Sequence, residues 1–197
     1  MRWLQAAFFS LAHGFGAAES AWERVPMDVP AAAFGLGSRC QFPQYFQGES
    51  TVQVTSIDDM VEWLRTCEYV SDTEQFHEAD VWQEPCAFER RQRGDCEDFA
   101  LWAWRKLAEL GVDAEFYVGQ VRCGDRPEVS RQHAWVVYRA NGEVVLFEPA
   151  AQERHRMIQP LDAVKHEYVP HFAVDRRFVT SAFVGCLLEA QRAAAHA

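Results

Sequence analysis

"RQRGDCEDFALWAWRKLAELG", from Arg91 to Gly111, decides how the chain is read. Asp95 suits a helix N-cap, Asp98 stands at the third helical position, and Gly111 suits the residue just past a helix end. The spacing therefore predicts a helix that starts at Cys96. Phe99, Ala100, Ala103, Leu107 and Leu110 fall on one side of it, and Cys96 falls on that side too. Arg105, Lys106 and Glu109 face the other way. The thiol thus points inward from a helix start, flanked by Asp95, Glu97 and Asp98. Packing a cysteine does not call for three acids beside it, so the question is what else could meet Cys96 in space.

Downstream, "AEFYVGQVR" (114–122) and "QHAWVVYRANGEVVLFEPA" (132–150) are dense in Val, Phe, Tyr and Trp and read as strands. Asn141-Gly142 is a hairpin signal, because a type I′ turn needs positive φ at both central positions. A two-residue loop there sets Ala140 opposite Glu143, Trp135 opposite Glu148 and His133 opposite Ala150. His133 and Trp135 share a face, since strand side chains alternate with period two. Glu148 then lies one diagonal step from His133, roughly 7–8 Å between backbones, a gap that a glutamate reaching for an imidazole can close. Turn chemistry alone places a carboxylate behind a histidine.

Cys96, His133 and Glu148 form a candidate nucleophilic set. A thiolate is the attacking species, and a helix N-terminus favours it. His133 would pair with the thiolate and then protonate the leaving group, while Glu148 fixes the ring's tautomer. The acids beside Cys96 push the other way, because negative charge disfavours a thiolate. Something has to offset them: a charged His133, nearby arginines, or a bound cation. Cys86 and Cys123 have no evident base partner and read as structural. His155, His166 and His171 have no assigned chemistry.

The rest of the chain bounds the answer. Its 197 residues favour one domain, 1–197, with a core over 57–180. With 29 acidic against 19 basic residues and a net charge of -10, nucleic-acid binding is not expected. No apolar run is long enough to cross a membrane. Six cysteines without CxxC spacing argue against zinc. The histidines of "HEYVPH" (166–171) are five apart with Pro170 between them, which excludes a zinc-protease helix. Leu4, Ala7, Phe8, Leu11 and Phe15 fit an amphipathic helix and a cytoplasmic chain, with a secretory signal over 1–18 as the alternative. Residues 25–50 are rich in Pro and Gly and read as irregular, and the lone Gly35/Gly37 pair is a poor phosphate loop. Ser56 and Asp59 announce a helix from Ile57, and Pro85 opens a short one. A further strand is expected near 172–174 and a helix at the end. Helices first and an antiparallel sheet after them make the class α+β.

"GDCEDFA" followed by a helix, "LGV", a strand, "HAW" and a hairpin ending in "FEP" resembles the transglutaminase-like superfamily, and most of all the bacterial transglutaminase-like cysteine proteinases. The lead-in "DVWQEPCAFERRQRG" fits the same pattern, and the likeness spans roughly 57–150. It implies a papain-like core with the nucleophile helix packed on an antiparallel sheet. It also implies Cys96 as nucleophile, His133 as base and acid, and Glu148 in the third position, where the family usually has Asp. Trp82 or Gln83 would supply an oxyanion donor. The reaction itself requires no cofactor, but Asp95 and Glu97 become candidate calcium ligands. The expected activity is thiol-dependent acyl transfer on a peptide or protein substrate, as a cysteine peptidase or amide hydrolase. The alternatives are amine transfer by the same site, or a non-catalytic domain that binds a peptide or protein. The sequence is silent on oligomeric state.

Overall fold

Asn141 and Gly142 both adopt left-handed backbone, with φ of 54° and 83°, as a two-residue type I′ hairpin requires. A computed structural model describes residues 21–25, 28–38, 42–123 and 126–188. The helix expected over Leu4 to Phe15, the 1–18 signal alternative and the end of the final helix lie outside the described residues. The turn joins β5 (Arg126–Ala140) to β6 (Glu143–Phe147) in the expected register, with Ala140 opposite Glu143 and Val136 opposite Phe147. β4 (Asp113–Cys123) pairs with β5 on one side and with β8 (Tyr168–Asp175) on the other. β9 (Thr180–Phe183), β1 (Arg24–Val25) and β7 (Ile158–Pro160) complete a seven-stranded sheet in the order β1-β9-β8-β4-β5-β6-β7. Every pairing in it is antiparallel.

Alternation along the central strands sorts side chains into two apolar layers. Phe116, Val118, Ala134, Val136 and Tyr138 belong to the larger buried cluster, Tyr117, Trp135 and Val137 to the smaller one on the opposite face. Helix α4 (Cys96–Glu109) covers the larger layer with Phe99, Ala100, Ala103 and Leu107. Around it sit α1 (Ile57–Leu64), capped by Ser56, and α3 (Pro85–Arg91), opened by its proline. Within the described residues, the helices from Ile57, Pro85 and Cys96 and the hairpin stand where the sequence puts them.

The far side of α4 differs from its amphipathic pattern. Arg105 and Lys106 are buried, not solvated, because the irregular segment before α1 lies over them. Arg105 donates to the carbonyls of Gln47 and Gly48, and Lys106 to Val52 and to the Glu89 and Glu109 carboxylates. Breaking a buried pair such as Lys106–Glu89 leaves an uncompensated charge, so these two cations hold the segment down. The same segment carries two 3-10 turns, Ala31–Ala33 and Phe42–Phe46, and sends Phe34, Phe42 and Tyr45 into the core. Its Gly37 is no phosphate loop. The Gly37 N–H donates to Asp80 at 2.6 Å, and a Cβ there would come within 2.6 Å of the Asp80 carbonyl.

Candidate active site

The hairpin delivers the histidine–carboxylate pair. His133 Nε2 lies 2.6 Å from Glu148 Oε2, and both residues are buried. Glu148 follows the last residue of β6, where its backbone N–H donates to Met157 O at 2.7 Å. The longer glutamate is met by a partner on β8: the Tyr168 hydroxyl donates to the same Oε2 at 3.1 Å. Trp135 lies beside the imidazole, with ring centroids 6.2 Å apart and planes 22° from parallel, and packs edge-on against Tyr168. With the Nε2 proton given to Glu148, Nδ1 keeps its lone pair free to act as a base.

Cys96 occupies the first turn of α4 and is partly buried. The backbone N–H of Ala134, the residue after His133 on β5, lies near enough to favour the charged form of the Cys96 sulfur. Its own S–H donates to Glu97 Oε2 at 3.2 Å. No hydrogen bond joins the sulfur to the imidazole. Burial raises the thiol's pKa well above the usual cysteine range; the Glu97 and Asp95 charges add to it, and the Ala134 N–H works the other way. In this state the sulfur is held as a thiol.

The acids form a cluster larger than the sequence suggested. Carboxylate oxygens of Asp72, Asp95 and Asp98 lie within 4.8 Å of one another, as do those of Asp72, Asp80 and Glu97. Asp72 opens α2 (Asp72–Gln75), and Asp80 sits in the loop before α3. Burial lifts the Asp98 carboxyl to about 8 and Asp72 to about 6. Burial, then a shared hydrogen bond and the charge of Asp95, lift Glu97 to about 11. The cluster is tied to the backbone as well: Asp98 accepts from the Asp95 N–H and from both Gln83 donors, so capping is only part of its work. Gly94 is required beneath it, since a Cβ at that position would overlap the Asp98 carboxylate. Asp72 Oδ1 and Asp95 Oδ1 are buried without a partner. Orphaned carboxylate oxygens facing other acids fit a hard cation that takes several oxygen ligands. Asp95 and Glu97 were expected from the sequence; Asp72 and Asp80 come from another segment and were not.

The expected oxyanion donors are otherwise engaged. Gln83 gives its backbone N–H to Asp98 and its side-chain amide to Asp98 and Arg93 O. The Trp82 indole donates to Asp80 at 2.8 Å. The side-chain donors of both residues are used inside the acid cluster, so neither side chain has one left for substrate. Beside the histidine opens a cleft of about 570 Å³ whose walls include Tyr69, Arg131, His133, Glu148, Arg156 and Tyr168. Tyr69 and Tyr168 join the site from strands that carry no motif of their own.

No family model matches the chain, and no curated protein matches it. Among solved structures, its fold is similar to that of calcium-bound Legionella pneumophila LapG, with 16% identity over 68% of this chain and 72% of that one, TM-score 0.47. EGTA-treated LapG gives 16% identity over 67% and 69%, TM-score 0.46. A protein of Cytophaga hutchinsonii described as a candidate cysteine protease is 15% identical over 71% of this chain and 39% of its own, TM-score 0.42.

Proposed function

We propose that the chain is a thiol-dependent acyl-transfer enzyme, a cysteine peptidase or amide hydrolase that uses Cys96, His133 and Glu148. One observation carries the reading: a buried His133–Glu148 pair at 2.6 Å, with His133 next to Ala134, whose N–H favours the Cys96 thiolate. A helix start, a thiol, an imidazole and an orienting carboxylate are the parts that nucleophilic acyl transfer needs. The reading requires the sulfur to leave Glu97 and face Nδ1. Catalytic hydrogen bonds are often loose before substrate binds, so this starting geometry is compatible with the role.

In the reaction, Nδ1 takes the thiol proton as the sulfur attacks the carbonyl carbon. His133 returns that proton to the departing amine when the C–N bond breaks, and Glu148 stabilises the imidazolium in between. Water, activated by the same imidazole, then attacks the thioester and frees the acid and the thiol. Asp72, Asp95 and Glu97 would hold calcium, with Asp80 and Asp98 beside them. When bound, the ion would supply positive charge that offsets the carboxylates now raising the thiol's pKa.

The test is a peptide library screened for turnover with and without calcium, using the wild type and Cys96→Ala. Cleavage by the wild type that Cys96→Ala loses is the expected result. A Cys96→Ala variant that keeps full turnover refutes the assignment. Capture of the acyl group by an added primary amine identifies amine transfer as the physiological outcome, and peptide binding without turnover under either condition identifies a binding domain.

A further inference from the structure

Acyl transfer needs a second hydrogen-bond donor besides the backbone N–H at the nucleophile, and the side chains of Trp82 and Gln83 do not offer one. We propose that Tyr69 is that donor, its phenol O–H stabilising the oxyanion formed when Cys96 attacks. The inference rests on the acyl-transfer reading above and adds a catalytic residue to it. Placement comes from the backbone. The two-residue strand β2 (Glu68–Tyr69) pairs in parallel with β3 (Arg93–Gly94), which sets Tyr69 opposite Gly94, two residues before the nucleophile. The pairing is closed at both ends by Glu68 N–H to Gln92 O and Val70 N–H to Gly94 O, each 2.8 Å.

The side chain lies against the helix that carries Cys96. The Tyr69 ring packs on Phe99 in the first turn of α4, with centroids 6.3 Å apart. It lines the cleft that holds His133 and Glu148. Tyr69 is 49% exposed, and its hydroxyl has no hydrogen-bond partner among the described residues. The donors that the motif suggested, and the thiol, are tied down: Gln83 to Asp98, Trp82 to Asp80, Cys96 to Glu97. Burial and the charges of Cys96 and Asp95 hold the phenol above its ordinary pKa, so it stays protonated and able to donate.

The step balances without any further reactant. As the Sγ–C bond forms, the carbonyl π pair moves to oxygen, and the Tyr69 O–H and the Cys96 N–H hold the resulting negative charge. When the pair returns, C=O re-forms, the bond to the leaving group breaks, and His133 protonates the leaving group.

Two probes separate this role from a structural one. p-Nitrophenyl acetate acylates Cys96 through an oxyanion, whereas iodoacetamide alkylates the same sulfur without forming one. With millimolar calcium present, Tyr69→Phe keeps the ring packing on Phe99 and should lower the acylation rate roughly 100-fold, the scale of one oxyanion donor. The alkylation rate should stay at the wild-type value. Acylation within about threefold of wild type, or a parallel fall in both rates, overturns the proposal. If Cys96→Ala retains the p-nitrophenol burst, it is the acyl-transfer reading that has failed, whatever Tyr69→Phe does.

Discussion

Replacing Glu148 by Asp restores the residue usual in the family that the sequence resembles, yet here it should impair the enzyme. The Glu148 carboxylate reaches His133 Nε2 at 2.6 Å and accepts from Tyr168 at 3.1 Å. Its backbone is pinned by the 2.7 Å bond to Met157 O and cannot follow a shorter side chain. Removing one methylene withdraws the carboxylate by roughly 1.5 Å. The contact to the imidazole would open to about 4 Å, beyond hydrogen-bond range. A hydrogen bond to a charged group contributes about 1.5–3 kcal/mol. Loss of about 2–3 kcal/mol from the transition state lowers kcat/KM roughly 30- to 150-fold. Steady-state hydrolysis of p-nitrophenyl acetate in calcium buffer gives that ratio, and a melting curve checks that the variant is folded. Glu148→Gln, which keeps the length but loses the charge, separates the two contributions. A Glu148→Asp enzyme as fast as the wild type, or faster, would refute the claim that strand spacing here is set for glutamate.

Tyr168→Phe removes the second bond to Glu148 and leaves its packing on Trp135. It should cost about 1 kcal/mol of stability and lower kcat about fivefold with little change in KM, as read from melting curves and initial rates. The Cys96 thiol is held above its usual pKa by burial and by Glu97 and Asp95. The midpoint of its alkylation–pH profile should therefore move to lower pH when calcium is added, and an unmoved midpoint counts against a cation in the cluster. In EGTA, the folded pKa values of Asp72, about 6, and Asp98, about 8, lie above those of ordinary carboxylates. The folded state then binds protons that the unfolded chain releases, so stability falls as pH rises from near 4 through 6 and 8. Melting temperature in EGTA should drop between pH 5 and pH 9, and calcium should flatten that slope.

The hairpin and the helix from Cys96 were legible because both have strong local signals. Asn141-Gly142 fixes a turn, period two carries Glu148 to the face of His133, and Asp95 with Gly111 brackets α4. Tyr69, Asp72 and Asp80 were not legible. The two-residue strands that align Tyr69 with Gly94 have no periodicity to read, and Asp72 and Asp80 join the cluster only through tertiary folding. Tyr168 reaches Glu148 from β8, which the sequence suggested only as a strand near 172–174. The burial of Arg105 and Lys106 was hidden for the same reason. Their helix pattern is amphipathic, and only an irregular segment some 50 residues upstream turns their face into interior. Gln83 and Trp82 were nominated as donors to substrate by position in the motif, but a neighbouring carboxylate competes for a donor, and its presence cannot be inferred from spacing.

The hydrogen bond from the Cys96 thiol to Glu97 has a protective side. Peroxide and other oxidants attack thiolates far faster than thiols, and the first product, a sulfenic acid, leads on to forms that cannot be repaired. A sulfur whose proton is retained by adjoining acids presents a poor target while the enzyme is idle. If Cys96 is the nucleophile, the negative charge that must be offset before it can attack also guards its sulfur against corrosion in storage.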